Sequence, residues 1–358
     1  MKVSFVINEP IQSASGGYKM VYIYANELAQ KGIKVKIYYR CRRNILMSRY
    51  KLPMGIKLMI ARVLSAIGPR WFELDKKVGR KVITNICNSQ IKDADIIIAT
   101  AADTAKDVYE LDERKGKKLY FIQGYEDWVM PVDELIKTYR YDMKKIVVSH
   151  WLKKLVESYC NENVECVLNG IDSRTFYVKN SPNERKNKSI CMLYHDLKSK
   201  GSKEGLEVIY KLKEKYPDLE VRLFGVVDQP DNLPNWISYT HNASQEQLCS
   251  IYNESMIYLS PSWNEGFGLT GAESMMCGCA LVSTATDGVR EYATEDTAFL
   301  CAVHDVDKMF QDCCLLLDNS KLRIRIANKG VVNVTNLLDY DNSVNLFISI
   351  LENIQKTN

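Results

Sequence analysis

The sequence contains no uncharged apolar run approaching the roughly 18 residues that a bilayer-spanning helix needs, so no transmembrane helix is expected. Histidine is scarce, with 4 in 358 residues, and none of the 11 cysteines forms a C-x-x-C. Cys277 and Cys279 are one residue apart and Cys313 and Cys314 are adjacent, spacings that suit no zinc knuckle. An odd cysteine count also leaves no complete disulfide framework. The expectation is small buried thiols in a reducing compartment and no metal site. The opening MKVSFVINEP reaches an acid at Glu9 before a secretory core could form, so a cytoplasmic protein without an export signal is expected. Charged residues at 26% and aromatics at 10% exclude wholesale disorder, and the length suggests two domains of about 150 residues or more.

One absence is local. No acid occurs between Leu28 and Phe72, a stretch holding five Lys (31, 34, 36, 51, 57) and six Arg (40, 42, 43, 49, 62, 70). Setting those eleven aside leaves 37 bases against 44 acids, so the net +4 conceals an acidic remainder. Within the stretch, Lys51–Arg70 mixes Met54, Ile56, Leu58, Met59, Ile60, Val63, Leu64 and Ile67 with four bases. That composition suits a helix lying on anionic lipid, and the expected partner is a membrane surface met through residues 28–72. The plainer alternative is a helix packed on a sheet with its bases in water. Nucleic acid is not expected, because no aromatic residues are interleaved as a stacking platform and no nucleic-acid module is present.

Short β-branched runs alternate with amphipathic stretches along the chain. Strands are expected at Lys2–Ile7, Lys34–Tyr39, Asp95–Thr100, Lys118–Gln123, Lys145–Ser149 and Val164–Leu168, with a helix over Tyr18–Lys31. Polar Lys179–Lys188 (KNSPNERKNK) reads as a linker. A second series follows at Ser189–Tyr194, Glu220–Val226, Ile237–Thr240, Met256–Ser260, Ala280–Thr284 and Ala298–Val303, and Asp341–Gln355 has helical spacing. The reading is α/β: two doubly wound, Rossmann-like domains facing a cleft. The domains expected are 1–178, a linker at 179–188, 189–335, and a C-terminal helix in 336–358 packing back on the first domain.

The most informative string is Pro261–Gly278, PSWNEGFGLTGAESMMCG, between an expected strand and helix. Gly266 and Gly268 let backbone approach a ligand, and the free N–H groups of a helix start attract phosphate. Glu265 and Glu273 bracket that start, and carboxylates there suit sugar and ribose hydroxyls, which are neutral donors. Two glutamates eight apart are common, however, and the spacing alone decides nothing.

The whole string, E-G-F-G-L-x-x-x-E, resembles the E-x7-E signature of family 4 glycosyltransferases, which have the GT-B fold. Ser15-Gly16-Gly17 followed by a helix ending Ala29-Gln30-Lys31-Gly32 resembles the family's opening. Val148–Leu152 (VSHWL) and Asn169-Gly170-Ile171-Asp172 resemble markers near the end of its first domain, and Lys200-Gly201 its phosphate-binding segment. The resemblance runs in order over nearly the whole chain. It implies retaining, metal-independent transfer of a sugar from a nucleotide-sugar, with no cofactor besides that donor, onto a glycan or lipid-linked glycan. Glu265 would contact the donor sugar and Glu273 the ribose. Gly16, Gly17 and the backbone of Gly266, Phe267, Gly268 and Leu269 would hold the donor. Lys200 would neutralise the departing diphosphate. The string FIQGYEDW (121–128) resembles a branch containing surface-polysaccharide and rhamnosyl transferases, which implies hexosyl or deoxyhexosyl transfer.

Three positions depart from the family pattern. His195 stands where an Arg is usual, which would leave Lys203 to share its work. A first-domain His is replaced by the stretch containing Gln123 and Glu126, either of which would serve the acceptor. That stretch reads equally as a sugar platform or as a packed loop. Gly288-Val289 replaces a Gly-Gly, leaving Gly288 as the residue of close approach. Asp93-Ala94-Asp95 and Asp305-Val306-Asp307 match the Asp-x-Asp of metal-dependent transferases. The first precedes its strand and the second reads as a helix N-cap, so neither is expected to be catalytic. Gly16-Gly17 does not supply a dinucleotide fingerprint. A non-catalytic partner subunit that stabilises an active transferase is the alternative, and retention of both Glu265 and Glu273 argues against it.

Overall fold

The computed structural model describes residues 1–41 and 52–356. The chain divides into two compact units, one of Met1–Leu168 with Asn342–Asn358, the other of Asn169–Asp341.

The first unit is built on seven parallel strands: β1 Lys2–Asn8, β2 Lys34–Arg40, β3 Gly79–Ile83, β4 Ile96–Ala99, β5 Lys117–Ile122, β6 Lys144–Val147 and β7 Glu165–Cys166. Their order is β3-β2-β1-β4-β5-β6-β7. The helices are α1 Gly16–Gln30, α2 Met54–Ile67, α3 Ala102–Tyr109, α4 Val132–Tyr139 and α5 His150–Glu157. Central strands such as IIIA in β4 are buried throughout, as a parallel sheet covered on both faces requires. β3, GRKVI, is the strand that sequence reading misses. Only Ile83 of it is fully buried, and a charged edge strand carries little hydrophobic signal.

The second unit has six parallel strands: β8 Ser189–Tyr194, β9 Glu220–Gly225, β10 Ile237–His241, β11 Ile257–Ser260, β12 Ala280–Thr284 and β13 Ala298–Cys301. Their order is β10-β9-β8-β11-β12-β13. The covering helices are α6 Ser202–Lys215, α7 Gln245–Asn253, α8 Leu269–Met276, α9 Val306–Asp318 and α10 Ser320–Leu337. The last helix, α11 Tyr340–Lys356, crosses the unit boundary, and Phe347 stacks on Tyr24 of the first unit's core at 3.8 Å. In each sheet the winding reverses beside the first strand, between β1 and β4 and between β8 and β11. Loops beyond the carboxyl ends of those strands are where such sheets bind ligands.

Several expectations meet specific packing. The stretch 179–188, read as a linker, lies in the second unit. There Arg185 is buried and donates to the carbonyls of Tyr252, Ser255 and Cys277. All eleven cysteines are free thiols, and all but Cys87 and Cys166 are buried. Asp93 pairs with Lys115 at 2.7 Å and Asp95 accepts the Lys2 backbone N–H, while Asp305 caps α9 by accepting from Lys308 N–H. The basic stretch is less free than its sequence suggests. Arg40 is buried, paired with Asp103 and Asp107 at 3.0 Å each, and Lys57 is turned inward. Arg42, Arg43, Arg49 and Lys51 lie outside the described residues.

Candidate functional site

The loop Pro261–Gly268 leaves the carboxyl end of β11 and turns into α8. Two neighbouring loops fix its course. On one side the turn Lys198–Lys200 lies against it, and Trp263 N–H donates to the Ser199 carbonyl at 2.7 Å. Gly201, at φ 64°, comes so close that a Cβ there would stand 2.0 Å from the Pro261 carbonyl oxygen. On the other side is the turn after β12, where a Cβ at Gly288 would lie 2.4 Å from the Glu265 carbonyl oxygen. Gly288 is thus a residue of close approach, and what it approaches is the loop itself.

This clamped loop brings Lys200 Nζ to 2.8 Å from Glu265 Oε1, with the two side chains 26% and 14% exposed. A sheltered ion pair of this kind holds an ammonium at a defined place without surrendering it to bulk water. His195 is half-buried behind it. Its Nδ1 accepts from Leu197 N–H at 3.0 Å, and burial together with the Lys200 charge lowers its pKa. A neutral imidazole is therefore favoured there. Ser202 ties His195 down, accepting from its N–H and donating to its carbonyl. Lys203 is exposed on the first turn of α6.

The N-terminus of α8 begins at Leu269, preceded by Gly268 at φ 84°. Gly268's carbonyl accepts the Tyr292 hydroxyl at 2.7 Å, and Phe267 is buried against the Tyr292 ring. Glu273, one turn in, is only 3% exposed, and its Oε2 accepts from Tyr252 Oη at 3.5 Å. Burial raises the Tyr258 and Tyr292 phenols, and both Glu265 and Glu273 add to it, so these two rings stand within the field of both carboxylates.

In the first unit another group of loops gathers at the carboxyl edge of the sheet. Gly16 and Gly17 open α1, and Gln123 Nε2 donates to the Gly17 carbonyl at 3.2 Å. Glu126 accepts the Ala102 N–H, at the start of α3. Burial pushes its carboxyl up to about 7 against the pull of that N–H, with Asp103 adding repulsion. Asp103 is held by Arg40 and by Asn8 Nδ2 at 3.2 Å. Trp128, at the end of the same stretch, is exposed. Among the described residues, no three His, Cys, Asp or Glu side chains are grouped to hold a metal ion.

Residues 173–331 match the family model described as glycosyl transferases group 1. Over 183 residues the chain is 26% identical to an uncharacterised glycosyltransferase of Haemophilus influenzae, covering 49% of this chain and 51% of that protein. It therefore spans about half the length of that curated relative. The whole chain superposes on sucrose-phosphate synthase of Thermosynechococcus elongatus with a TM-score of 0.75 at 13% identity, covering 100% of both chains. It superposes on Anabaena HepE, crystallised with UDP and glucose, with a TM-score of 0.73 at 12% identity, covering 99% of this chain and 100% of that one. The fold is GT-B.

The matched residues of this GT-B chain include His195, Lys200, Lys203 and the whole Glu265–Glu273 segment; Gly16, Gly17, Gln123 and Glu126 lie outside them. The structure joins Lys200 to Glu265 and Gly17 to Gln123 by direct contact. Sequence reading misses the tyrosines. Tyr252 and Tyr292 buttress Glu273 and Gly268, yet each sits in a segment without a motif. It also misses Trp263, whose indole N–H donates to Glu204 Oε1 at 3.0 Å, beside His304. Only the fold brings Tyr252 and Tyr292 to the loop, and Glu204 and His304 to Trp263 within it.

Proposed function

We propose that the protein is a retaining, metal-independent glycosyltransferase that moves a sugar from a nucleotide-sugar to a glycan or lipid-linked glycan. The observation that supports this most is the Lys200–Glu265 pair, set in a glycine-clamped loop at the start of α8 and within the group 1 match. In this reading the Lys200 ammonium stabilises charge on the departing diphosphate, and the α8 N-terminus and its preceding glycines hold the phosphates. Glu265 accepts from hydroxyls of the donor sugar, and Glu273, braced by Tyr252, accepts from the ribose. The anomeric C–O bond to the diphosphate breaks and the acceptor oxygen bonds to the same face of the sugar. The acceptor's proton passes to the leaving phosphate oxygen, so no separate base is required. Gln123 or Glu126 of the first unit serves the acceptor in this reading. Transfer of a hexose or deoxyhexose in surface-polysaccharide synthesis, at the cytoplasmic face of a membrane, fits a lipid-linked acceptor.

A thermal-shift panel of UDP, GDP, dTDP, ADP and CMP on wild type and Glu273→Ala tests the reading. UDP leads because HepE was crystallised with it. A nucleotide at a hundred times its dissociation constant stabilises the fold by about 2.7 kcal/mol. Glu273→Ala should lose that shift, and Glu265→Ala should retain most of it while losing sugar transfer. Unchanged affinity and turnover in both variants would refute the site. No shift with any nucleotide would favour a non-catalytic GT-B partner subunit.

A further inference from the structure

Helix α2 turns a row of its aliphatic side chains outward. Lys57, Ala61 and Ser65 face inward and are buried, whereas Ile56, Met59, Val63 and Ile67 are 43%, 59%, 52% and 60% exposed. Offsets of three and four residues align those four on one side of the helix. A lone exposed aliphatic is ordinary; four in a row along a 14-residue helix form a continuous apolar stripe. The stripe is held on a fixed support. Gln12 Nε2 donates to the Gly68 carbonyl at 3.0 Å, and the Tyr22 ring meets Trp71 at 5.8 Å and Phe72 at 5.6 Å.

Along the chain, the charges within this segment are of one sign. Arg62 and Arg70 are exposed on and just after the helix, and no Asp or Glu occurs anywhere from Leu28 to Phe72. Arg42, Arg43, Arg49 and Lys51 precede the helix in sequence. At 14 residues α2 is shorter than the roughly 20 needed to span a bilayer. Among the described residues no helix is long and apolar enough to cross a membrane. A second copy of the chain would bring Arg62 and Arg70 of one protomer toward those of the other, with no acid in this stretch to offset them. A bilayer rich in anionic phospholipid matches both the stripe and its charge.

We propose that α2 docks the protein on an anionic membrane surface, with Ile56, Met59, Val63 and Ile67 entering the headgroup–acyl boundary and Arg62 and Arg70 meeting lipid phosphates. The proposal extends the transferase reading but does not depend on it, because the docking helix and the Lys200–Glu265 loop lie in different units.

The test is flotation of the full chain with vesicles of phosphatidylcholine alone and of phosphatidylcholine mixed with phosphatidylglycerol. Binding is expected only to the mixed vesicles. Arg62→Gln with Arg70→Gln should lower partitioning by about 25-fold, roughly fivefold per charge. The quadruple variant Ile56→Ser, Met59→Ser, Val63→Ser, Ile67→Ser should lower it at least about tenfold. All six side chains are exposed, so both variants should melt with wild type. Equal binding to the two vesicle types, or wild-type binding by the quadruple variant, would overturn the proposal. So would a concentration-dependent dimer abolished by the four serines in a protein that floats with neither vesicle. Nucleotide shifts measured on the same samples separate the two readings: a failure there with vesicle binding intact would strike the transferase alone.

Discussion

Gly201 offers a test of the loop clamp in which the structure sets the magnitude. Its φ of 64° is left-handed, which costs a residue with a Cβ about 1–2 kcal/mol. Gly32, at φ 80° after α1, carries the same backbone penalty, but nothing lies within 4 Å of a Cβ placed there. At Gly201 the added methyl would lie 2.0 Å from the Pro261 carbonyl oxygen and 2.7 Å from its carbon. Both are backbone atoms that cannot rotate away, so overpacking adds about 1–3 kcal/mol. Gly201→Ala should therefore destabilise its unit by roughly 2–5 kcal/mol, lowering the melting temperature by about 4–20 °C. Gly32→Ala should cost only about 1–2 kcal/mol. The assay is urea and thermal unfolding of both variants, followed by nucleotide titration at a temperature where each is folded. Separating the two loops should also pull Lys200 from Glu265 and weaken nucleotide binding in Gly201→Ala alone. If the two alanines cost the same, the close approach to Pro261 is not a constraint and the clamp argument fails.

Two further outcomes follow from the tyrosine and carboxylate environments. Glu126 holds its proton up to about pH 7 in the fold but releases it near 4.5 when unfolded, so the unfolded chain binds fewer protons between those values. Stability should fall as pH rises through that window, by at most roughly 3 kcal/mol. Urea midpoints of wild type and Glu126→Gln between pH 4 and 8 check this, and an unaltered slope in the variant would contradict it. Tyr292→Phe removes the hydroxyl that Gly268 accepts and should cost about 1 kcal/mol while raising the dissociation constant for the preferred nucleotide. Calorimetric titration with unchanged affinity and stability would show that the hydroxyl does not support the turn.

Most strands and the two-unit winding are legible in the sequence because their cause is local. A strand buried on both faces must be apolar along its length, as Ile96–Ala99 and Ala280–Thr284 are. The E-G-F-G-L-x-x-x-E string is legible for the same reason: a glycine turn and a helix start are specified by neighbours in the chain. The edge strand Gly79–Ile83 is not, since pairing with β2 rather than its own hydrophobicity makes it a strand. The acid-free stretch shows the limit most plainly. Sequence separation hides that Arg40 is neutralised by Asp103 and Asp107, some sixty residues on, and that Lys57 turns inward while four aliphatics turn out. Composition announced a basic, apolar segment, and only packing decided which of its residues face water. The clamp of Gly201 on Pro261, the pairing of Lys200 with Glu265 and the brace of Tyr292 on Gly268 are likewise contacts across distant loops. They exist because a parallel sheet brings the carboxyl ends of its strands to one edge, whatever their distance along the chain.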